Sequence, residues 1–231
     1  MELNNGAEGG SNGVTVSAAN SGGASGNAFD STVGTPTITY DSAQARGTLA
    51  YKVVAGASAQ QLVWSSSMGT QAELWGRLYL YSSGAPNSSN GLIRFLTGGS
   101  QAARLRYETT GALAIADSGN SPEFTTTNAL ATGQWTRVEF HIQFIATNAV
   151  VELRLYNSAD STTPTETQSV SNAAGMGVNC DTIQIGSFNS ATMTVWMDGL
   201  QVNNTGWPGP IVGRPSPLVA SRAATVRAAR W

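Results

Sequence analysis

Polar and apolar residues alternate most regularly over residues 134–144. Trp135 and every second residue up to Gln143 would lie on one side of a strand, and Thr136 and every second residue up to Phe144 on the other. Alternation of this length predicts a β-strand with one face on a core. Residues 149–156 repeat the pattern after a break at 146–148, so we expect the two runs to pair as an antiparallel hairpin.

Shorter strands are predicted along most of the remaining chain, separated by turns rich in Gly, Ser and Asn. No segment keeps the i, i+3, i+4, i+7 spacing of a helix for more than about two turns. This pattern predicts an all-β sandwich or barrel. The further strand candidates are residues 14–17, 37–40, 48–54, 61–64, 72–81, 91–96, 104–108, 112–116, 182–188 and 192–202.

The chain of 231 residues is predicted to form a single domain over 1–207, followed by a Pro/Ala/Arg-rich C-terminal tail or docking arm over 208–231. Pro208, Pro210, Pro215 and Pro217 lack the N–H group that a β-ladder needs, so we expect the sheets to end before them. A solvated, unstructured tail is the alternative to a docking arm.

Charge is scarce and unevenly distributed. Charged residues make up 11% of the chain, against roughly a quarter in a typical soluble domain. All 14 acidic residues lie at or before Asp198 together with 8 basic ones, for a net charge of −6, whereas the tail carries +4. An acidic body argues against nucleic acid as the partner, and a basic tail suits an acidic protein surface. The basic tail residues are Arg214, Arg222, Arg227 and Arg230.

Membrane and export signals are not found. No apolar run approaches the roughly 20 residues of a membrane-spanning helix, and residues 1–6 lack the basic and apolar regions of a signal peptide. The single cysteine, Cys180, excludes an internal disulfide. Because weakly charged surfaces rich in Ser, Thr and Asn are typical of extracellular or virion β proteins, we expect a virion-surface or extracellular location.

Several short motifs follow one another in a recognisable order: Glu-Gly-Gly-Ser-Asn-Gly at 8–13, Arg-Gly at 46–47, Leu-Ala-Thr-Gly-Gln-Trp-Thr-Arg-Val-Glu at 130–139, Met-Asp-Gly-Leu-Gln-Val at 197–202 and Gly-Pro at 209–210. This order resembles the concanavalin A-like/laminin-G-like jelly-roll superfamily, in the form found in phage and bacterial surface proteins. The resemblance implies an antiparallel jelly-roll β-sandwich. That superfamily includes lectins, glycanases, adhesion modules and virion components, so the fold leaves function open.

Catalytic motifs of that superfamily are missing. Its retaining glycanases carry Glu-x-Asp-x-Glu or Glu-x-Asp-x-x-Glu on one strand, because retention needs two carboxylates roughly 5–5.5 Å apart. Here Glu139 is followed by His141 but by no second acid, and no Gly-x-Ser-x-Gly turn accompanies this single histidine. Cys180 is expected to be buried and inert. We therefore predict that the protein is not an enzyme, with a glycan hydrolase as the least favoured alternative.

The resemblance also implies a structural calcium ion, because related jelly rolls hold Ca²⁺ where an N-terminal Glu-Gly turn meets the aspartate of a late strand. Glu8 and Asp198 match those positions. Calcium takes 6–8 oxygen ligands, and only two carboxylates are evident. The alternative is that Asp198 caps a turn by accepting hydrogen bonds from backbone N–H groups. No other cofactor is required by the sequence.

Aromatic and polar side chains share one face on each of two predicted strands. Aromatic rings pack on the C–H faces of sugars, while amides and charged groups bind the hydroxyls. If the strands are neighbours, they form a platform for a cell-surface glycan; alternatively, Trp75 and Tyr79 face the core. The platform residues are Trp75, Arg77, Tyr79, Trp135, Arg137 and Glu139.

Together, these features predict a non-enzymatic virion surface structural protein, either a capsid decoration or a tail-associated component, whose jelly roll carries a glycan-adhesive surface. Its partners would be other virion proteins, bound through the C-terminal tail, and further copies of itself in a homo-oligomer. The alternative is a carbohydrate-binding, lectin-like adhesion module.

Overall fold

The computed structural model describes residues 1–34, 38–56 and 59–211. This part of the chain folds almost entirely into strands, with two single-turn 3₁₀ helices at Ala18–Asn20 and Gly23–Ser25. The strands are β1 Glu2–Asn5, β2 Ser31–Val33, β3 Thr39–Asp41, β4 Ala50–Ala55, β5 Gln60–Trp64, β6 Glu73–Ser82, β7 Asn90–Thr97, β8 Ser100–Tyr107, β9 Leu113–Ala116, β10 Pro122–Thr125, β11 Trp135–Gln143, β12 Ala149–Tyr156, β13 Glu166–Ala173, β14 Thr182–Ser187 and β15 Met193–Asn203.

The strands form two antiparallel sheets. Sheet A has the order β13-β12-β11-β6-β15-β4-β3, and β1 also pairs with β15. Sheet B has the order β10-β9-β8-β7-β14-β5-β2. The rings of Phe140 in sheet A and Phe95 in sheet B meet edge to face, with centroids 5.3 Å apart. The predicted all-β, antiparallel jelly-roll sandwich is therefore confirmed.

The core lies between the sheets and follows the alternation of the long strands. On β11, Val138, Phe140 and Ile142 are fully buried in it, and β12 pairs with β11 as the expected hairpin. Opposite Phe140 on β6 is Gly76. A Cβ atom at position 76 would lie 2.1 Å from the Phe140 ring, so the absence of a side chain there makes room for the ring.

Some sequence predictions of strands were wrong or incomplete. Residues 14–17 make only an isolated bridge, from Thr15 to Thr39. Strands β1, β2, β10 and β13 were not predicted. Strand β13 has the sequence Glu-Thr-Gln-Ser-Val-Ser-Asn-Ala and lies at the edge of sheet A. Because an edge strand can be polar on both faces, its sequence gives no apolar alternation to detect.

The C-terminal region is described only as far as Ile211. Residues 206–211, here called the C-terminal segment, lie against the outer face of sheet A through contacts given below. The domain boundary at 207/208 stays a prediction. The four arginines of the predicted docking tail, Arg214, Arg222, Arg227 and Arg230, lie outside the described residues. None of the helices in the described ranges is long and apolar enough to span a membrane.

Candidate functional site

The outer face of sheet A carries all six residues of the predicted glycan platform. Strands β6 and β11 are antiparallel neighbours, which is the condition that the platform required. Neither Trp75 nor Tyr79 belongs to the apolar core, so the alternative in which they face the core is wrong. The residues paired across the two strands are Trp135 with Tyr81, Arg137 with Tyr79, Glu139 with Arg77, and His141 with Trp75.

Most of the platform is nevertheless covered. Arg77, Tyr79, Arg137 and Glu139 are at most 6% exposed. Only the two tryptophans, Trp75 and Trp135, retain partly exposed surface. The four buried residues therefore cannot contact a glycan directly in this conformation, which corrects the simple picture of an open six-residue platform.

The C-terminal segment covers one part of the platform. The Arg154 guanidinium lies 3.6 Å from the ring centroid of Trp207, a cation–π contact. Arg77 donates a hydrogen bond from Nη1 to the Gly209 carbonyl at 2.8 Å. The Ile211 N–H donates to the Tyr79 hydroxyl oxygen, also at 2.8 Å. These three contacts hold the segment across the middle of the face.

The loop that follows β12 covers another part of the platform. Arg137 donates to the carbonyls of Ala159 and Ser161, both at 2.6 Å. Its Nε atom forms an ion pair with Glu139 Oε1 at 3.0 Å. Its guanidinium carbon lies 3.7 Å from the ring centroid of Tyr156. Burial, followed by the charge of Glu139, raises the pKa of the Tyr156 hydroxyl. Arg137 thus acts as a positioning residue for the loop.

Between this loop and residues 42–47 lies an open cleft of about 770 Å³. Its aromatic wall is formed by Trp135 and Tyr81, whose ring centroids are 5.7 Å apart. Tyr81 also meets Trp196 edge to face at 5.5 Å. The cleft volume falls within the range of small-molecule sites in proteins.

A second part of the lining, here called the polar wall, is formed by polar side chains. Arg46 forms an ion pair with Asp160 at 2.6 Å, and the aspartate side chain stays 46% exposed. The Arg46 guanidinium also lies 4.0 Å from the Tyr79 ring centroid, which connects this wall to the sheet. Gln134 and Asn157 line the cleft with exposed amide side chains. The cleft therefore combines flat apolar rings with neutral hydrogen-bonding groups and one ion pair.

Sequence reasoning found Trp135 but missed the polar wall. Arg46 and Asp160 are 114 residues apart and meet only in the folded chain. Both lie in loops, where no periodic pattern indicates which way a side chain points. The Arg-Gly pair at 46–47 is one of the motifs that carry the family resemblance, but nothing in the sequence relates it to Asp160.

The side chains considered for catalysis, Glu139 and His141, are bonded to different partners. His141 Nε2 lies 2.6 Å from Glu73 Oε1, and its ring stacks on Trp75 with centroids 4.4 Å apart. Glu139 is instead enclosed with Arg137, so it is not paired with His141 as a general acid or base would be. Cys180 is fully buried, as expected, and burial raises the pKa of its thiol to about 12.

The two predicted calcium ligands are engaged with backbone groups. Both carboxylate oxygens of Glu8 accept from the Thr48 N–H, at 3.0 and 3.2 Å. Asp198 Oδ1 accepts from the Gly199 N–H at 2.5 Å. Over residues 1–34, 38–56 and 59–211, no group of three or more His, Cys, Asp or Glu side chains could hold a metal. The donor set does not fit calcium well, and the ion stays a prediction.

No family model and no curated protein matches this chain. Solved structures do. The cellulose induced protein Cip1 is 19% identical, with a TM-score of 0.52 over 73% of this chain and 86% of its own. The chain has a concanavalin A-like jelly-roll fold. Lectin I-B4 from Griffonia simplicifolia is also similar, at 9% identity and a TM-score of 0.45 over 67% of this chain and 87% of the lectin.

A botulinum neurotoxin type C structure, concerned with cell entry through two ganglioside molecules, is 9% identical with a TM-score of 0.46. The similarity covers 79% of this chain but only 43% of the neurotoxin chain. At 19% identity, the likeness to Cip1 shows the fold alone. The virion role and the docking tail stay predictions.

Proposed function

We propose that this protein is a non-enzymatic carbohydrate-binding module, and that a neutral glycan binds in the cleft lined by Tyr81, Trp135 and the loop at 157–160. The observation that carries the proposal is the composition of that cleft. Partly exposed aromatic rings line it together with exposed amides and a charge-paired carboxylate. This combination provides stacking surfaces for sugar C–H groups and both donors and acceptors for hydroxyls.

The residues that line the cleft are held by packed and hydrogen-bonded elements, which favours binding because little conformational freedom is lost when a ligand arrives. Trp135 lies at the start of a central strand of sheet A and Tyr81 near the end of its neighbour. Arg46 and Arg137, both nearly fully buried, hold the loop that carries Asp160. Sites supported by packed elements in this way keep their geometry without the ligand.

The electrostatics favour an uncharged ligand. The Asp160 carboxylate is already paired with Arg46, and no other acidic or basic side chain of the described residues lines the cleft. A strongly anionic or cationic sugar would therefore find no unpaired partner charge there. The same pairing argues for binding without hydrolysis. Glycoside cleavage needs a free acid and a second carboxylate beside it, whereas the buried Glu139 of the same face is paired with Arg137.

The test is a glycan array followed by calorimetry on the glycans that bind, with Trp135→Ala as the variant and Trp75→Ala as the matched control. Both substitutions remove a partly exposed tryptophan from the same sheet face, but only Trp135 lines the cleft. Loss of one stacking ring should weaken binding at least tenfold, about 1.4 kcal/mol, while Trp75→Ala binds like the parent protein.

Three outcomes would contradict the proposal: no glycan is bound at all, Trp135→Ala binds normally, or both variants lose binding equally. Release of reducing sugar by the parent protein would contradict the non-enzymatic part alone. The melting temperature of each variant has to be measured as well. If Trp135→Ala melts far below the parent protein, it should be replaced by Trp135→Leu, which keeps apolar bulk but removes the flat ring.

A further inference from the structure

Two arginines face each other across neighbouring strands on the outer face of sheet B. Arg94 of β7 pairs directly with Arg104 of β8. Like charges placed opposite each other in a sheet destabilise it. A fold whose described acidic side chains outnumber its basic ones would normally place a carboxylate beside such a pair.

Within the described ranges, no carboxylate lies beside either guanidinium. Arg46, Arg106, Arg137 and Arg154 each have an acidic oxygen within 3.0 Å, whereas Arg94 and Arg104 form no ion pair there. Their side-chain hydrogen bonds are long and go to neutral amides, at 3.5 Å to Gln184 and 3.3 Å to Asn120. The buried Nε atom of each finds no hydrogen-bond acceptor among the same residues.

One aromatic ring lies beside both guanidinium groups. The guanidinium carbons of Arg94 and Arg104 are 4.5 and 5.4 Å from the centroid of Phe188. Phe188 packs over Gly91, where a Cβ atom would lie 2.6 Å from the ring and 2.9 Å from the Arg104 side chain. Because Gly91 has no side chain, the Phe188 ring and the Arg104 side chain can pack against the sheet. The ring in turn restricts the orientation of both guanidinium groups.

This arrangement has an electrostatic cost. Burial, then the charges of Arg94 and Arg106, lowers the pKa of Arg104 to about 10. The neighbouring Arg106 has a counter-charge, because its Nε atom lies 2.9 Å from Glu108 Oε1. Two half-buried cations, each with an unpaired Nε donor and without an ion pair among the described residues, are the features expected of an anion site before its anion arrives.

We propose that Arg94 and Arg104, backed by Phe188, bind a tetrahedral oxyanion of the kind found in sulfate and phosphate esters. Such a group offers several acceptor oxygens to two guanidinium forks and places negative charge between the two cations. The site is on the opposite sheet from the proposed glycan cleft and does not depend on it. A sulfated polymer and a phosphorylated polymer are two sources of the same chemistry.

The test measures binding of inorganic sulfate and phosphate to the whole chain, by calorimetry and by the rise of the melting temperature against chloride at equal ionic strength. Arg94→Gln and Arg104→Gln should each weaken the binding of both anions about tenfold or more. Lys52→Gln is the control, because it removes the same unit charge from sheet A, where its partner is Asp41. It should leave the affinity unchanged.

Stability without the anion provides a second readout. In chloride at low ionic strength, removing one of two facing cations should leave the melting temperature unchanged or raise it. No saturable binding of sulfate or phosphate by the parent protein would overturn the proposal. The proposal would also be overturned if Arg94→Gln and Arg104→Gln bound the anions as tightly as the parent protein.

Dextran sulfate, unmodified dextran and polyphosphate then distinguish the sources. Dextran sulfate that binds more tightly than polyphosphate and is displaced by inorganic sulfate indicates a sulfate ester, whereas tighter binding of polyphosphate indicates a phosphate group. Unmodified dextran should not bind this site. If it competes with inorganic sulfate, the proposal fails even where the neutral-glycan cleft is correct.

Discussion

Arg137 and Glu139 point the same way from β11 and form an ion pair, Nε to Oε1, at 3.0 Å, with each side chain only 1% exposed. Tyr156 encloses the pair, since its hydroxyl donates to Glu139 Oε2 at 3.2 Å. The remaining donors of Arg137 hold the carbonyls of Ala159 and Ser161. One buried charge pair therefore fixes the loop that forms the polar wall of the cleft.

Removing the cation from this pair should be costly. Arg137→Met leaves Glu139 buried without its counter-charge and releases two loop carbonyls. We expect the free energy of unfolding, measured by urea denaturation, to fall by about 3–5 kcal/mol. The double variant Arg137→Met, Glu139→Leu should recover most of this loss, because no charge is then left buried. A single variant that loses less than about 1 kcal/mol would show that the pair is solvated.

The C-terminal segment should loosen when its hydrogen bond to the sheet is removed. Tyr79→Phe keeps the ring but deletes the oxygen that accepts the Ile211 N–H. We expect amide exchange at Ile211 to become about fivefold faster, which corresponds to roughly 1 kcal/mol for one hydrogen bond. The Cys180 N–H, bonded to the Gln71 carbonyl, is the internal control. Unchanged exchange at Ile211 would mean that Arg154 and Arg77 hold the segment alone.

The sequence predicted side-chain directions correctly where polar and apolar residues alternate along a strand. Alternation on β11 indicated correctly that Phe140 faces the core and that Arg137 lies on the opposite face. It did not indicate that this opposite face is covered. Covering depends on residues that arrive from far along the chain, such as Trp207 over Arg154. A polar residue predicted to be exposed can therefore be buried by a segment whose own sequence shows no regular pattern.

Only part of the candidate site could be predicted from the sequence, for the same reason. Trp135 was found because a strand fixes the direction of its side chain. Asp160 was missed because the loop carrying it has no period, and its direction is set by Arg46 and Arg137. The pairing of β6 with β11 was stated only as a condition, since local sequence does not determine which strands become neighbours. The structure meets that condition.

Gly76 should tolerate no side chain. Its neighbour across the strand pair is Phe140 of β11, whose ring would lie 2.1 Å from an added Cβ atom. We expect Gly76→Ala to lower the free energy of unfolding by about 1–3 kcal/mol through overpacking, as measured by urea denaturation. Adding Phe140→Leu should restore part of the loss because it frees the space above the sheet. If the double variant is less stable by the sum of both single effects, the two positions do not share that space.

A pH-dependent contribution is expected from Glu166. Its carboxylate accepts hydrogen bonds from the backbone N–H groups of Thr127, at 2.6 Å, and Asn128, at 2.8 Å. Burial alone would raise the pKa of Glu166. Hydrogen bonds from Gln168 and from these two backbone groups outweigh burial, so the pKa lies below its usual value of 4.5.

Because the folded protein holds this carboxylate deprotonated more readily than the unfolded chain does, the stabilisation is complete above about pH 4.5 and disappears as the pH falls through the lowered pKa. Glu166→Gln should therefore reduce the free energy of unfolding by about 1 kcal/mol at pH 7, and the difference from the parent protein should shrink below about pH 4.5. Glu123→Gln, on the neighbouring β10, is the control, since the Glu123 carboxylate does not hold the loop at 127–128. A difference for Glu166→Gln that stays constant from about pH 7 to pH 3 would mean that the effect comes from packing, because only the ionised carboxylate gains from the two N–H groups.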